Sequence, residues 1–173
     1  MKIRIFVILI LVCFFCNQFA IAQAKTEKNF IDPTGTYKLS NKTTIKDGYR
    51  YGNFGGIEVK LLTNSTIAIS LFICRGATNY NSGSFIDTLT YQNSKAIYKT
   101  PEEDSSCSIT FTFTNKGVIV DQYQADINFG CNFGQGVFAD GFYKRISIKT
   151  PLIVDLEGKY FGANGILLKD KLR

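Results

Sequence analysis

The stretch TIAISLFI, Thr66 to Ile73, sets Ile67, Ile69, Leu71 and Ile73 on one side of an extended chain and Ala68, Ser70 and Phe72 on the other. Successive side chains of a strand point to opposite faces, so this period of two is that of a half-buried β-strand. Working outward, short β-branched and aromatic runs recur, each followed by a turn rich in Gly, Asn, Asp or Ser. GTYKLS (35–40) leads to NKTTIKDG (41–48), GIEVKLL (56–62) to TNST (63–66), FIDTLTY (85–91) to QNS (92–94) and KAIYK (95–99) to TPEEDSS (100–106). CSITFTF (107–113), the turn TNKG (114–117) and GVIVDQY (117–123) continue the series. VFADGFYKRI (137–146) closes it, with Asp140-Gly141 read as a tight turn between VFA and FYKRI.

Helix signals are nearly absent: no window combines apolar positions at helical spacing with a capping residue in front. About eight strands joined by turns predict an all-β fold, a single antiparallel β-barrel with a β-sandwich as the alternative. Closure is favoured because a small open sheet leaves two unpaired edges.

The ends set the organisation. Lys2 and Arg4 precede the apolar run IFVILILVCFFC (5–16), too short for the roughly 20 residues of a membrane span and interrupted at once by Asn17 and Gln18. A basic start, a short apolar middle and small residues at a cut site describe a secretory signal peptide over 1–24, cleaved after Ala22 or after Ala24. Cys13 and Cys16 follow the bulky Val12 and Phe15, which argues against a lipid-modified leader. The expectation is an exported chain, secreted or periplasmic, with a barrel domain over 25–150, a tail over 151–173 docked on it, and no membrane span left after processing. Loss of Lys2 and Arg4 takes the formal charge from +6 to +4, since all 14 acidic residues lie after the leader. No Lys/Arg block stands out, so a nucleic-acid partner is not expected.

Cys74, Cys107 and Cys131 remain after the leader. In an exported protein two of them are expected to pair, and three pairings are open. Cys107 with Cys131 is favoured, because they flank a candidate hairpin and closing that loop contributes about 3 kcal/mol. Cys74 then reads as buried packing.

The stretch NFGCNFGQGVFADGFYK (128–144) is dense in glycine, but it lacks the G-x-x-x-x-G-K-[ST] order and the following helix of a phosphate loop. Its glycines read as a bulged connection between strands. Asp32-Pro-Thr-Gly-Thr-Tyr37 and Asp155-Leu-Glu-Gly-Lys-Tyr160 share a D-x-x-G-x-Y pattern and read as two strand starts. The G-x-aromatic opening resembles the first strand of lipocalin-like barrels, which implies that Tyr37 plugs one barrel end. Cys107, Ile109, Phe111 and Phe113, followed by Cys131, Phe133, Gly134, Val137, Ala139, Asp140, Gly141 and Tyr143, are similar to a pattern of uncharacterised exported bacterial proteins. Some such domains occur in proteins of lysozyme-inhibitor type; the matched positions are sheet and turn residues and imply no inhibitory site.

The chain has no histidine, which removes the Ser-His-Asp and Cys-His mechanisms and nearly all zinc, copper and non-haem iron sites. No cofactor, metal site or catalytic residue is expected. Glu58 and Asp87 are the best-placed carboxylates for the alternative reading, a carboxylate-dependent hydrolase, although both are read first as solvent-facing. Glu102, Glu103 and Asp104 lack the spacing of a calcium loop. The aromatic residues point to binding instead. Tyr49, Tyr51 and Phe54 in GYRYGNFGG and Tyr80 in ATNYNSGSF are read as loop residues that contact a ligand or partner, or fold back as lids. The expected function is a non-catalytic binding protein, holding a small apolar ligand in the barrel or a protein partner on the loops.

Overall fold

The computed structural model describes residues 30–100, 107–125, 130–153, 160–161 and 167–168, with one compact unit beginning at Ile31. The leader, its cleavage sites and the acidic residues 102–104 lie outside the described residues, as does most of the expected tail.

TIAISLFI lies within β4 (Thr66–Gly76), and its four alternate aliphatic residues are at most 1% exposed. The sheet further contains β1 (Gly35–Leu39), β2 (Thr44–Lys46), β3 (Tyr49–Thr63), β5 (Ser82–Gln92), β6 (Lys95–Lys99), β7 (Cys107–Phe113), β8 (Gly117–Gln124) and β9 (Gly141–Ser147). Neighbouring strands pair antiparallel from β9 back through β3, and β1 pairs with both β9 and β3. That double pairing closes eight strands into a barrel, while β2 sits outside the ring on the first residues of β3. Two further short strands, β10 (Tyr160–Phe161) and β11 (Leu167–Leu168), pair with each other, so Tyr160 of the second D-x-x-G-x-Y copy does open a strand.

Two features depart from the sequence reading. GYRYGNFGG is not a loop: Tyr49, Tyr51 and Phe54 belong to the 15-residue β3, whose backbone pairs with β2 and β4. Its glycines allow close approach instead of ending the strand; a Cβ on Gly55 would stand 2.2 Å from the Phe72 carbonyl oxygen. Nor is Asp140-Gly141 a hairpin turn. VFA forms no strand, and Gly141 only opens β9, while the Asp140 carboxylate accepts the Gln122 N–H at 2.9 Å.

One end of the barrel is a floor built on Tyr37. The segment 31–34 crosses this end, and its successive carbonyls are taken up by side chains from three strands. Tyr91 donates its hydroxyl to the Ile31 oxygen (2.5 Å), Arg145 donates to Asp32 O (2.5 Å) and Tyr37 donates to Pro33 O (2.6 Å). Arg145 also lies over the Tyr37 ring, 5.2 Å from its centroid, and donates Nε and Nη2 to the Tyr37 hydroxyl at 3.0 and 2.6 Å. Phe113 meets both Tyr37 and Tyr91 edge to face. The aromatic of G-x-Y thus plugs an end as its resemblance implied, with a cation locking it in place.

Inside, Ile57, Val59, Ile67, Ile69, Ile109, Phe111, Val118 and Tyr143 are all 0% exposed and form one cluster with the floor. A void large enough for water leaves area on the side chains that line it, and these have none. An eight-stranded barrel is wide enough either to hold a small ligand or to be filled by side chains. Around these residues, side chains take the space.

Burial raises the pKa of Tyr37, Tyr91 and Tyr143; Arg145 partly offsets the effect at Tyr37, and Asp140 adds to it at Tyr143. Above the ordinary tyrosine value of about 10, the unfolded chain releases phenolic protons that the folded chain keeps. Stability is therefore present in full below about pH 10 and falls as pH rises toward the elevated folded values. Denaturant unfolding across this range should show that fall, and Tyr143→Phe should make it shallower while costing about 1 kcal/mol at neutral pH for the lost bond to Ala139 O. Arg145→Met should cost about 2 kcal/mol at neutral pH by stripping the floor of its charged donor.

Candidate functional site

Strand direction gathers the sequence-flagged segments at the end opposite the floor. The β2–β3 hairpin, the 77–81 connection and the stretch from Gly130 to Asp140 all emerge there.

The glycine-rich stretch is a cap. Cys107, at the start of β7, forms a disulfide with Cys131, the favoured pairing, and Cys74 is a free, buried thiol. Cys131 and Asn132 adopt positive φ, turning the chain inward so that Phe133, Val137 and Ala139 are buried in the core cluster. The Phe133 ring lies against Gly83, where a Cβ would stand 2.2 Å from a ring carbon. Polar bonds fix the cap's edges: Gly134 N–H donates to Ser82 O (2.9 Å), Asn81 Nδ2 to Gln135 O (2.9 Å) and Ala139 N–H to Gln122 Oε1 (2.8 Å).

Outside the wall at the same end lies an aromatic cluster. Phe54 is in register with Cys74, and Gly56 with Phe72, so Phe54 and Phe72 share the outer face, their centroids 6.4 Å apart. The Arg50 guanidinium stands 4.7 Å from the Phe54 centroid, and the Arg50 N–H donates to the Tyr80 hydroxyl at 2.9 Å. Tyr80 is held at φ 52°, a region that a bulky side chain occupies only when its surroundings fix it there. Ala77 N–H donates to Arg50 O at 2.7 Å, and Tyr80 N–H to Gly76 O at 2.9 Å. Beneath this loop the Cys74 thiol donates to Tyr80 O at 3.6 Å, which accounts for the thiol as packing. Tyr49 is 56% exposed, Phe72 45% and Tyr80 39%, whereas Tyr51 and Phe54 are half-buried.

Of the four anticipated residues, Phe54 and Tyr80 are therefore joined through Arg50. Tyr49 stands beside the Asp47-Gly48 turn of the hairpin, where both turn residues have positive φ, and Tyr51 pairs with Thr44 and Gly76. Arg50 and Phe72 were missed. Phe72 carried a signal, since it is the one large aromatic on the Ala68–Ser70 side of an otherwise plain alternation.

The two carboxylates do not converge. Glu58 pairs with Ser70 on the outer face, as read, but Asp87, read as solvent-facing, pairs with the buried Ile69 on the inner one, so they point to opposite sides of one sheet. Asp87 has a local role. β5 and β6 pair only at Tyr91–Ala96 and Gln92–Lys95, and beyond that seam the Asp87 carboxylate accepts the Thr88 N–H at 2.7 Å. Phe85 and Tyr98 stack across the seam at 3.9 Å. Among the described residues no three His, Cys, Asp or Glu side chains are grouped to hold a metal ion.

No protein-family model, curated protein or solved structure matches this chain. The likeness to lipocalin-like barrels consequently rests on architecture, the closed eight-stranded antiparallel ring.

Replacing Cys107 and Cys131 together by serine should lower unfolding free energy by about 3 kcal/mol, given the 24-residue separation. Gly83→Val should expel Phe133 from the cap, which limited proteolysis would detect as new cleavage between Gly130 and Asp140.

Proposed function

We propose that this chain is an exported, non-catalytic binding protein that holds a protein partner with the aromatic cluster at its capped end. The observation that carries this reading is the Arg50-centred arrangement: exposed Phe72 and Tyr80 beside an arginine stacked on Phe54, outside the core, on a fixed backbone. Tyr and Arg are enriched among residues that dominate interface energies, and rings already held in place lose little entropy on binding. A ligand inside the barrel is the weaker version, because it would displace side chains that have no exposed area. Export is supported by the leader-like first 24 residues and by the disulfide, which suits an oxidising compartment. The hydrolase reading loses its pair of carboxylates to opposite faces of the sheet.

The narrower version of this reading takes a cell-wall lytic enzyme as the partner. Its test is binding of a lysozyme to the immobilised protein. Binding is expected, weakened at least about tenfold by Arg50→Ala and by Tyr80→Ala, with little change in melting temperature for these surface side chains. Absence of lysozyme binding would remove the narrower version. Binding unaffected by either substitution would move the contact away from this cluster.

A further inference from the structure

A second surface, on the outer face of β1, β8 and β9 toward the floor end, has a different chemistry. Lys38 of β1 and Lys144 of β9 are direct cross-strand partners and both exposed; Lys116 and Lys149 line the same open groove of about 640 Å³ as Lys144. None of the four lysines has an ion-pair partner among the described residues. Like charges placed directly opposite destabilise a sheet. This arrangement therefore gains from an anionic partner.

Between the lysines the face is aliphatic. Ile119 of β8 pairs with Phe142 of β9, and they are 43% and 39% exposed. Ile146, pushed outward where β9 shifts register against β1, is 59% exposed, and Ile148 just beyond the strand is 78% exposed. Asp121 and Asp140 lie toward the capped end, and Asp140 is engaged by the Gln122 N–H; Glu58, in register with Thr36, stands on β3, across β1 from Lys144 and the groove.

We propose that this face docks on an anionic lipid bilayer, the lysines meeting headgroup phosphates and the isoleucines entering the headgroup–acyl boundary. Basic residues near a negatively charged membrane each contribute attraction, and aliphatic side chains gain by leaving water. A plain polyanion would satisfy the lysines but offers no apolar phase for Ile146 and Ile148. The chain's own last 20 residues are a poor occupant: Lys159, Lys169, Lys171 and Arg173 outnumber Asp155, Glu157 and Asp170, leaving them net positive.

The test is co-sedimentation of the full chain with vesicles of phosphatidylcholine alone and of equimolar phosphatidylcholine and phosphatidylglycerol. The expected result is partition onto the anionic vesicles only. It should fall about tenfold or more in Lys38→Gln/Lys144→Gln and again in Ile146→Ser/Ile148→Ser. All four side chains are exposed, so neither double variant should melt below the wild type, and the lysine pair should melt at or slightly above it through relief of the like-charge contact; that measurement accompanies the assay. Equal partition onto neutral vesicles, or no partition onto either, would overturn the proposal. So would loss with the lysine pair but none with the isoleucine pair, which would assign the face to a soluble polyanion.

Discussion

Closure of the sheet rests on one five-residue strand. β1 is hydrogen-bonded on both edges, to β3 and to β9, and without it the eight-stranded ring would be an open sheet with two unpaired edges. Its own side chains show why it can do this: Gly35, Tyr37 and Leu39 face the core, while Thr36 and Lys38 face out. The strand is short, so its hold is reinforced off the ladder. The Arg145 stack on Tyr37 and the three side-chain bonds to the carbonyls of 31–33 tie the segment before β1 across the barrel floor.

Fixing the floor leaves variation to the other end, where the connections are longer and carry the disulfide, the cap and the aromatic cluster. The cap draws apolar residues inward and so completes the core, whereas the Arg50 cluster is built on the outside of the same wall. The structural role and the proposed binding role thus fall to neighbouring segments of one barrel end. The seam between β5 and β6 shows how the wall tolerates a break in its ladder: stacked Phe85 and Tyr98 span it, and Asp87 serves an amide that no strand reaches.

Much of this was legible in the sequence where the cause is local. The period of two in TIAISLFI, the Asn and Asp turns and the Cys107–Cys131 pair all follow from near-neighbour pattern or from the closing of one loop, whereas the plugging role of Tyr37 comes from the resemblance of its G-x-Y opening to lipocalin-like barrels. What escaped was non-local or masked by composition. Arg145 is 108 residues from Tyr37, and in FYKRI it looks like an ordinary surface cation, although alternation from buried Tyr143 places it inward. Glycines in GYRYGNFGG and Asp-Gly in VFADGFYKRI look like strand breaks, because composition does not distinguish a glycine that turns the chain from one that lets two backbones approach. Similarly, no pattern in one chain foretells that the 77–81 loop will carry Tyr80 onto the Arg50 amide, 30 residues away.

The buried cluster fills the barrel around its core residues, which leaves the exposed outer faces for the proposed binding. Native mass spectrometry of the protein, repeated after denaturation, tests that most directly. The predicted result is the same mass in both states, that of the chain with its Cys107–Cys131 disulfide and nothing else bound. A small molecule retained only under native conditions would contradict the packed interior and place the binding site inside the barrel.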